Sequence, residues 1–199
     1  MSKTNTPPLR ACVYCGSRHG RLPAYTQAAR QLGEAIGKRG WQLVYGGGHV
    51  GLMGEVADAT LAAGGTVVGV ITEALMQREV GHRGLTELHV VRTMHERKQA
   101  MAERADLFIA LPGGIGTMEE LFEVWTWRQL GYHDQPIGIL NTAGYYDAFL
   151  RLCSQMVDEG FLAPPQHAVL VTDDEPERLL LTLARHIAAA SGRDDYSRI

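Results

Sequence analysis

Seven short apolar runs, separated by stretches of helical periodicity, constrain this chain more than any other feature. The runs at 10–15, 41–45, 66–71, 87–91, 106–111, 136–140 and 168–171 are dominated by Val, Leu, Ile and other apolar residues. Between them, 23–39, 51–63, 94–104, 117–130, 145–159 and 175–190 repeat apolar positions at the three-to-four spacing of one helix face. Strands this apolar must be covered on both sides, and strand–helix alternation supplies the cover. The predicted fold class is therefore α/β, a mostly parallel sheet of about seven strands with helices on both faces.

The 199 residues, 45% of them hydrophobic, suffice for one core, so a single domain over 10–190 is expected, with flexible tails at 1–9 and 191–199. A net charge of -3, from 19 basic and 22 acidic residues, predicts neither nucleic acid nor a membrane as partner. A small molecule is the expected partner. No apolar run approaches the roughly 20 residues of a membrane span, and Met1 to Pro8 lacks a signal-peptide core, so a cytoplasmic location is expected. The three cysteines do not form a secreted disulfide scaffold. Cys12-x-x-Cys15 lies in a predicted strand, where a separation of three points the side chains to opposite faces, and no second pair completes a zinc site.

Ligands of such sheets bind beyond the carboxyl ends of the strands. Three glycine turns fall there: Cys15-Gly16-Ser17-Arg18, Tyr45-Gly46-Gly47-Gly48-His49-Val50-Gly51, and Pro112-Gly113-Gly114-Ile115-Gly116-Thr117-Met118-Glu119-Glu120. The third follows a strand and precedes a helix. Its glycines are expected to reach φ > 0 and to let successive N–H groups point at a phosphate. Glu120 is then a candidate catalytic carboxylate, although Thr117-x-x-Glu120 is also capping-box spacing, in which Glu120 only satisfies its own helix end. The second turn reads as a dinucleotide fingerprint, Gly46-x-Gly48-x-x-Gly51 with Glu73 downstream; against it, such a fingerprint normally follows the first strand of its domain.

Thr93-Met94-His95-Glu96-Arg97-Lys98 opens a predicted helix. Position 99 is Gln99, so no zinc-protease pair forms. Arg97 and Lys98 oppose the helix dipole there, which invites a compensating anion or carboxylate, the alternative being plain solvation. Met94 fits core or ligand wall. Residues 73–83, including Glu79, show no periodicity and are expected to form a loop over the ligand edge, with a solvated glutamate as the default. The Trp125, Trp127 and Tyr132 segment suits either a subunit interface or the core.

Cys15-Gly16-Ser17, Tyr45-Gly46-Gly47-Gly48, Met94-His95-Glu96-Arg97-Lys98 and Pro112-Gly113-Gly114-x-Gly116-Thr117-x-x-Glu120 together resemble the LONELY GUY (LOG) proteins, the cytokinin riboside 5'-monophosphate phosphoribohydrolases. The resemblance runs from about Arg10 to Phe161. It implies a Rossmann-like, doubly wound homodimer that hydrolyses the N-glycosidic bond of nucleoside 5'-monophosphates such as AMP and N6-modified AMP. It makes Arg97 and Glu120 the catalytic pair and Gly113 to Thr117 the phosphate turn. Glu79, Lys98 and Thr126 fall on substrate contacts and Met94 on the base pocket. The expected binding set is completed by Gly16, Ser17, Gly47, Gly48, Met118 and Glu119, with Gly114, Ile115 and Gly116 inside the phosphate turn; no metal and no cofactor are implied. Arg18, Gln77-Arg78 and Ile115 depart from the family pattern, which bears on base preference. The label lysine decarboxylase that many relatives carry fits poorly. A pyridoxal enzyme needs a Schiff-base lysine, and only Lys3, Lys38 and Lys98 exist. A non-catalytic nucleotide carrier of the same fold is the alternative from another class.

Overall fold

The computed structural model describes residues 7–78 and 81–191. Seven strands, β1 Arg10–Tyr14, β2 Gln42–Tyr45, β3 Thr66–Thr72, β4 Glu87–Val91, β5 Leu107–Ala110, β6 Ile137–Leu140 and β7 Leu170–Asp173, form one sheet in the order β4-β3-β2-β1-β5-β6-β7. Every neighbouring pair is parallel. Strand order reverses between β1 and β5, so the crevice beyond their carboxyl ends is the switch point where such sheets bind ligands.

Among the described residues eight α-helices cover the sheet: α1 Pro23–Lys38, α2 Gly51–Ala62, α3 Glu73–Arg78, α4 Met94–Glu103, α5 Ile115–Gln129, α6 Asp147–Asp158, α7 Pro164–His167 and α8 Pro176–Ser191. A 3-10 turn spans Thr142–Gly144. On one face Leu32, Ile36, Leu52, Val56, Leu179 and Leu183 pack α1, α2 and α8 against the strands. On the other Met101, Leu121, Val124, Trp125, Phe149 and Cys153 do the same for α4, α5 and α6. Cys12 belongs to the second cluster and Cys15 to the first, so the Cys-x-x-Cys pair is split by the sheet as its strand spacing requires.

Three sequence expectations need correction. Residues 73–78 form α3 rather than loop; no residue of this short helix is buried, so it carries no apolar stripe for a periodicity reading to find. Helix α5 starts at Ile115 with Gly114 as its N-cap, two residues ahead of the predicted start. That register places Glu120 beyond the first turn, and the capping-box role for it falls away. The true capping box opens α4: Thr93 Oγ1 accepts from the Glu96 amide at 3.2 Å while the Glu96 carboxylate accepts from the Thr93 amide at 3.4 Å.

Candidate active site

The turns after β1 and β5 flank the switch point, and the Gly16 amide donates to the Pro112 carbonyl at 3.1 Å, locking them side by side. A cleft of about 690 Å³ opens over them. Its wall is the α5 N-terminus. Met118 is the first residue of that helix to bond back, to the Gly114 carbonyl, and Gly114 supplies no side-chain cap. The amides of Ile115, Gly116 and Thr117 therefore belong to the turn that lacks intrahelical acceptors, at the positive end of the helix dipole. Such a terminus suits an anion.

The glycines here act by leaving space, because none of Gly113, Gly114 and Gly116 has the positive φ that the sequence reading expects. A Cβ on Gly113 would lie 2.1 Å from Thr117 Oγ1 and 2.9 Å from the Gly16 nitrogen, so glycine is needed for the turn to close over the buried Thr117. A Cβ on Gly114 or Gly116 meets nothing within 4 Å and would project into open space beside the free amides. Tyr145, following β6, donates its hydroxyl to the Gly113 carbonyl and meets Tyr25 edge to face at 5.7 Å.

At the cleft floor, Arg97 Nη1 donates to Glu120 Oε1 at 2.8 Å, a single bond rather than the two parallel bonds a guanidinium can form. Arg97 Nε is held by the Val70 carbonyl at 3.0 Å. Gly46 makes room for this arginine, since a Cβ there would lie 2.1 Å from Arg97 Nη2. The two side chains are only 10% and 12% exposed, so their charges act in a weakly screened setting. Burial pushes the Glu120 carboxyl above the ordinary glutamate range, and Arg97 opposes that rise without cancelling it. Burial also raises both neighbouring thiols, Cys12 to about 12, so neither is a thiolate nucleophile.

Of the residues singled out in the sequence, Gly16, Ser17, Met94, Arg97, Gly113, Gly114, Ile115, Gly116, Thr117 and Glu120 line this one cleft. Others lie elsewhere. Gly47 accepts from the His82 amide, Gly48 bridges Gly81, and Met118 packs on the second core cluster. Lys98 is buried, its Nζ 2.5 Å from Glu119 and 2.8 Å from Glu123, so these three residues brace α4 against α5 beside the Arg97–Glu120 pair. Thr126 is exposed on α5 outside the cleft lining, and Glu79 lies outside the described residues. The sequence reading missed Tyr25, Leu75 and Tyr145 as lining residues. Tyr145 was findable, because it follows a strand at the ligand edge; Leu75 sits on the unrecognised α3.

Comparison with known proteins identifies the family. The family described as "Possible lysine decarboxylase" matches residues 53–183. Cytokinin riboside 5'-monophosphate phosphoribohydrolase LOG7 of Arabidopsis thaliana is 46% identical over 94% of this chain and 86% of its own. The LOG enzyme of that name from Oryza sativa subsp. japonica is 48% identical over 89% of this chain and 74% of its own. This chain belongs to the LOG family. Among solved structures, the molybdenum cofactor binding protein of Rippkaea orientalis superposes with a TM-score of 0.67 over 92% of this chain and 99% of its own, at 20% identity. The carrier protein for that cofactor from Chlamydomonas reinhardtii does so with a TM-score of 0.67 and 18% identity, over 92% and 99%. These likenesses establish the Rossmann-like fold alone. The decarboxylase wording of the family description has no support in this LOG protein's described lysines: Lys38 pairs with Glu34 on the surface, and Lys98 is tied to two glutamates away from the cleft. Burial alone would lower the Lys98 ammonium, but its bonds to Glu119 and Glu123 leave it raised, the reverse of what a Schiff-base lysine needs.

Proposed function

We propose that this LOG-family chain hydrolyses the N-glycosidic bond of nucleoside 5'-monophosphates, AMP and N6-modified AMP among them, to free base and ribose 5-phosphate. The observation that carries the reading is the Arg97–Glu120 ion pair one helical turn inside the open α5 N-terminus, within a single cleft. The activity for which relatives at 46% and 48% identity are named supports it.

The 5'-phosphate binds the amides of 115–117, with Ser17 beside them. That anchor sets the ribose over Glu120 and sends the base toward the apolar wall of Leu52, Met53, Leu75 and Met94. As the bond from ribose C1' to the base nitrogen breaks, positive charge grows on the sugar ring; the Glu120 carboxylate stabilises it and orients the water that adds to C1'. As it adds, the water gives up one proton through the Glu120 carboxylate to solvent, and the departing base takes one from solvent at the nitrogen that bore the ribose, so one water is consumed per bond cleaved. Arg97 keeps Glu120 ionised and aimed; a guanidinium does not serve as the acid. Since one such contact supplies about 3–4 kcal/mol of a catalysed reduction of ~8–23, remote binding of the phosphate must contribute much of the remainder.

The enzyme works as a cytoplasmic homodimer in this reading. Exposed Leu130 and Tyr132 at the end of α5 are apolar surface suited to a partner subunit. A carrier role without turnover is the second reading, favoured only by the likeness of fold to the molybdenum cofactor proteins. Incubation with AMP, N6-isopentenyl-AMP and adenosine separates them: the proposal expects free base from the monophosphates, with adenosine poorer in kcat as well as KM. Absence of released base from every monophosphate, with binding retained, favours the carrier.

A further inference from the structure

On the far side of the second glycine turn, the fold brings together three side chains that are well separated in sequence. His49 belongs to the turn itself, Asp58 to α2, and His82 to the segment between α3 and β4. One ligand atom from each lies within 4.8 Å of the others. His82 is buried, with Nε2 2.8 Å from Asp58 Oδ1, and the His49 ring meets it edge-on at a centroid distance of 4.7 Å. His49 and Asp58 also line an open pocket of about 540 Å³, distinct from the Arg97–Glu120 floor.

We infer that His49, Asp58 and His82 form a binding site for a divalent transition metal, with Zn²⁺ as the best-matched ion. Two imidazoles and one carboxylate are a borderline-soft donor set suited to that ion, and water from the open pocket fills the fourth position. A tetrahedral centre with bonds of about 2.0–2.1 Å needs ligand atoms about 3.3 Å apart. The existing separation closes by rotation of the exposed His49 side chain, while the two other groups are already in contact.

The Gly84 amide donates to His82 Nδ1 at 3.1 Å, which assigns the ring proton to Nε2, where it faces Asp58. Ligation through Nε2 moves that proton to Nδ1, with no net release, and the Gly84 amide, exposed at a turn, gives up its bond to the ring for water. The bound ion would fasten the second glycine turn, α2 and the lead-in to β4 together. That fastening lies close to the cleft: a Cβ on Gly51 would come within 2.3 Å of both the Arg18 nitrogen and the Ser17 carbonyl carbon, so the turn leans directly on the β1 loop.

The test uses the untagged full chain, stripped with a chelator and dialysed against Zn²⁺, with metal counted by elemental analysis and Co²⁺ as a visible-absorbance probe. One ion per chain is expected, with the Co²⁺ spectrum of a four-coordinate centre that Zn²⁺ bleaches. H49N and D58N should each weaken binding tenfold or more. H82N alters a buried group and can unfold the chain, so the exposed His49 decides the matter. H186N, an exposed histidine on α8, should bind as the parent does. Equal Zn²⁺ affinity in H49N and the parent, or no ion retained by the parent at micromolar Zn²⁺, would overturn the site and leave the three residues as a hydrogen-bonded clasp.

Discussion

Replacing Glu120 by Gln removes one negative charge while preserving the shape that fills the cleft floor. The Glu120 side chain is 12% exposed, so its interaction with charge on a sugar held about 4 Å away is set by an effective dielectric of about 20, which gives about 4 kcal/mol. At 1.36 kcal/mol per decade, that loss corresponds to roughly a thousandfold fall in kcat. The amide oxygen still accepts from Arg97, and the α5 amides that hold the phosphate are untouched, so AMP affinity should stay within about threefold, because most of its binding energy comes from the phosphate. Release of adenine followed by chromatography measures kcat, and titration calorimetry measures binding. Turnover by E120Q within a factor of ten of the parent would refute the electrostatic role. Loss of AMP binding together with activity would refute the division of labour between floor and helix end.

The two kinds of glycine in the turn should part company: G113A overpacks Thr117 and the Gly16 amide, costing about 1–3 kcal/mol and lowering Tm by roughly 2–4 °C per kcal/mol in thermal denaturation. G116A adds its methyl to open space and gains up to about 1 kcal/mol of helix stability, yet raises the KM for AMP by obstructing the anion; unchanged KM would place the phosphate elsewhere. Because burial raises the Glu120 pKa and activity requires its ionised form, the acid limb of kcat/KM should lie above the ordinary glutamate range of about 4.3, and activity is lost as pH falls through it. The linked stability runs the other way: the folded state holds that proton more tightly than the unfolded chain, so stability falls as pH rises between the unfolded and folded pKa values. In denaturant titrations E120Q should abolish this slope.

The sheet was legible because buried parallel strands must be apolar throughout, and all seven runs became strands. Edges were less so. The last run, predicted at 168–171, forms β7 at Leu170–Asp173 because Pro164–His167 winds into α7, with Ala168 as its C-cap. Identical spacing meant different things at Thr93-x-x-Glu96 and Thr117-x-x-Glu120. The first caps a helix; the second does not, because Gly113-Gly114 lets α5 begin early and carries Glu120 inward. That glycine turns gather at the carboxyl edge of the sheet followed from the strand–helix alternation, and the residues alone marked Arg97 as a cation wanting an anion or carboxylate; its pairing with Glu120 was implied only by the family resemblance. Gly47 and Gly48 share the composition of ligand glycines but do not line the cleft; their backbones meet His82 and Gly81 instead, a placement visible only once that segment is in position. Lys98 was marked by its unfavourable position at a helix start, but its partners proved to be Glu119 and Glu123 of the facing helix.

The most direct measurement of the central claim is a crystal structure of E120Q bound to AMP. Phosphate oxygens are expected within hydrogen-bond distance of the amides of 115–117, with ribose C1' against the side chain at position 120 and the base toward Met94 and Leu75. A phosphate seated away from the α5 N-terminus, or a ribose out of reach of position 120, would contradict it.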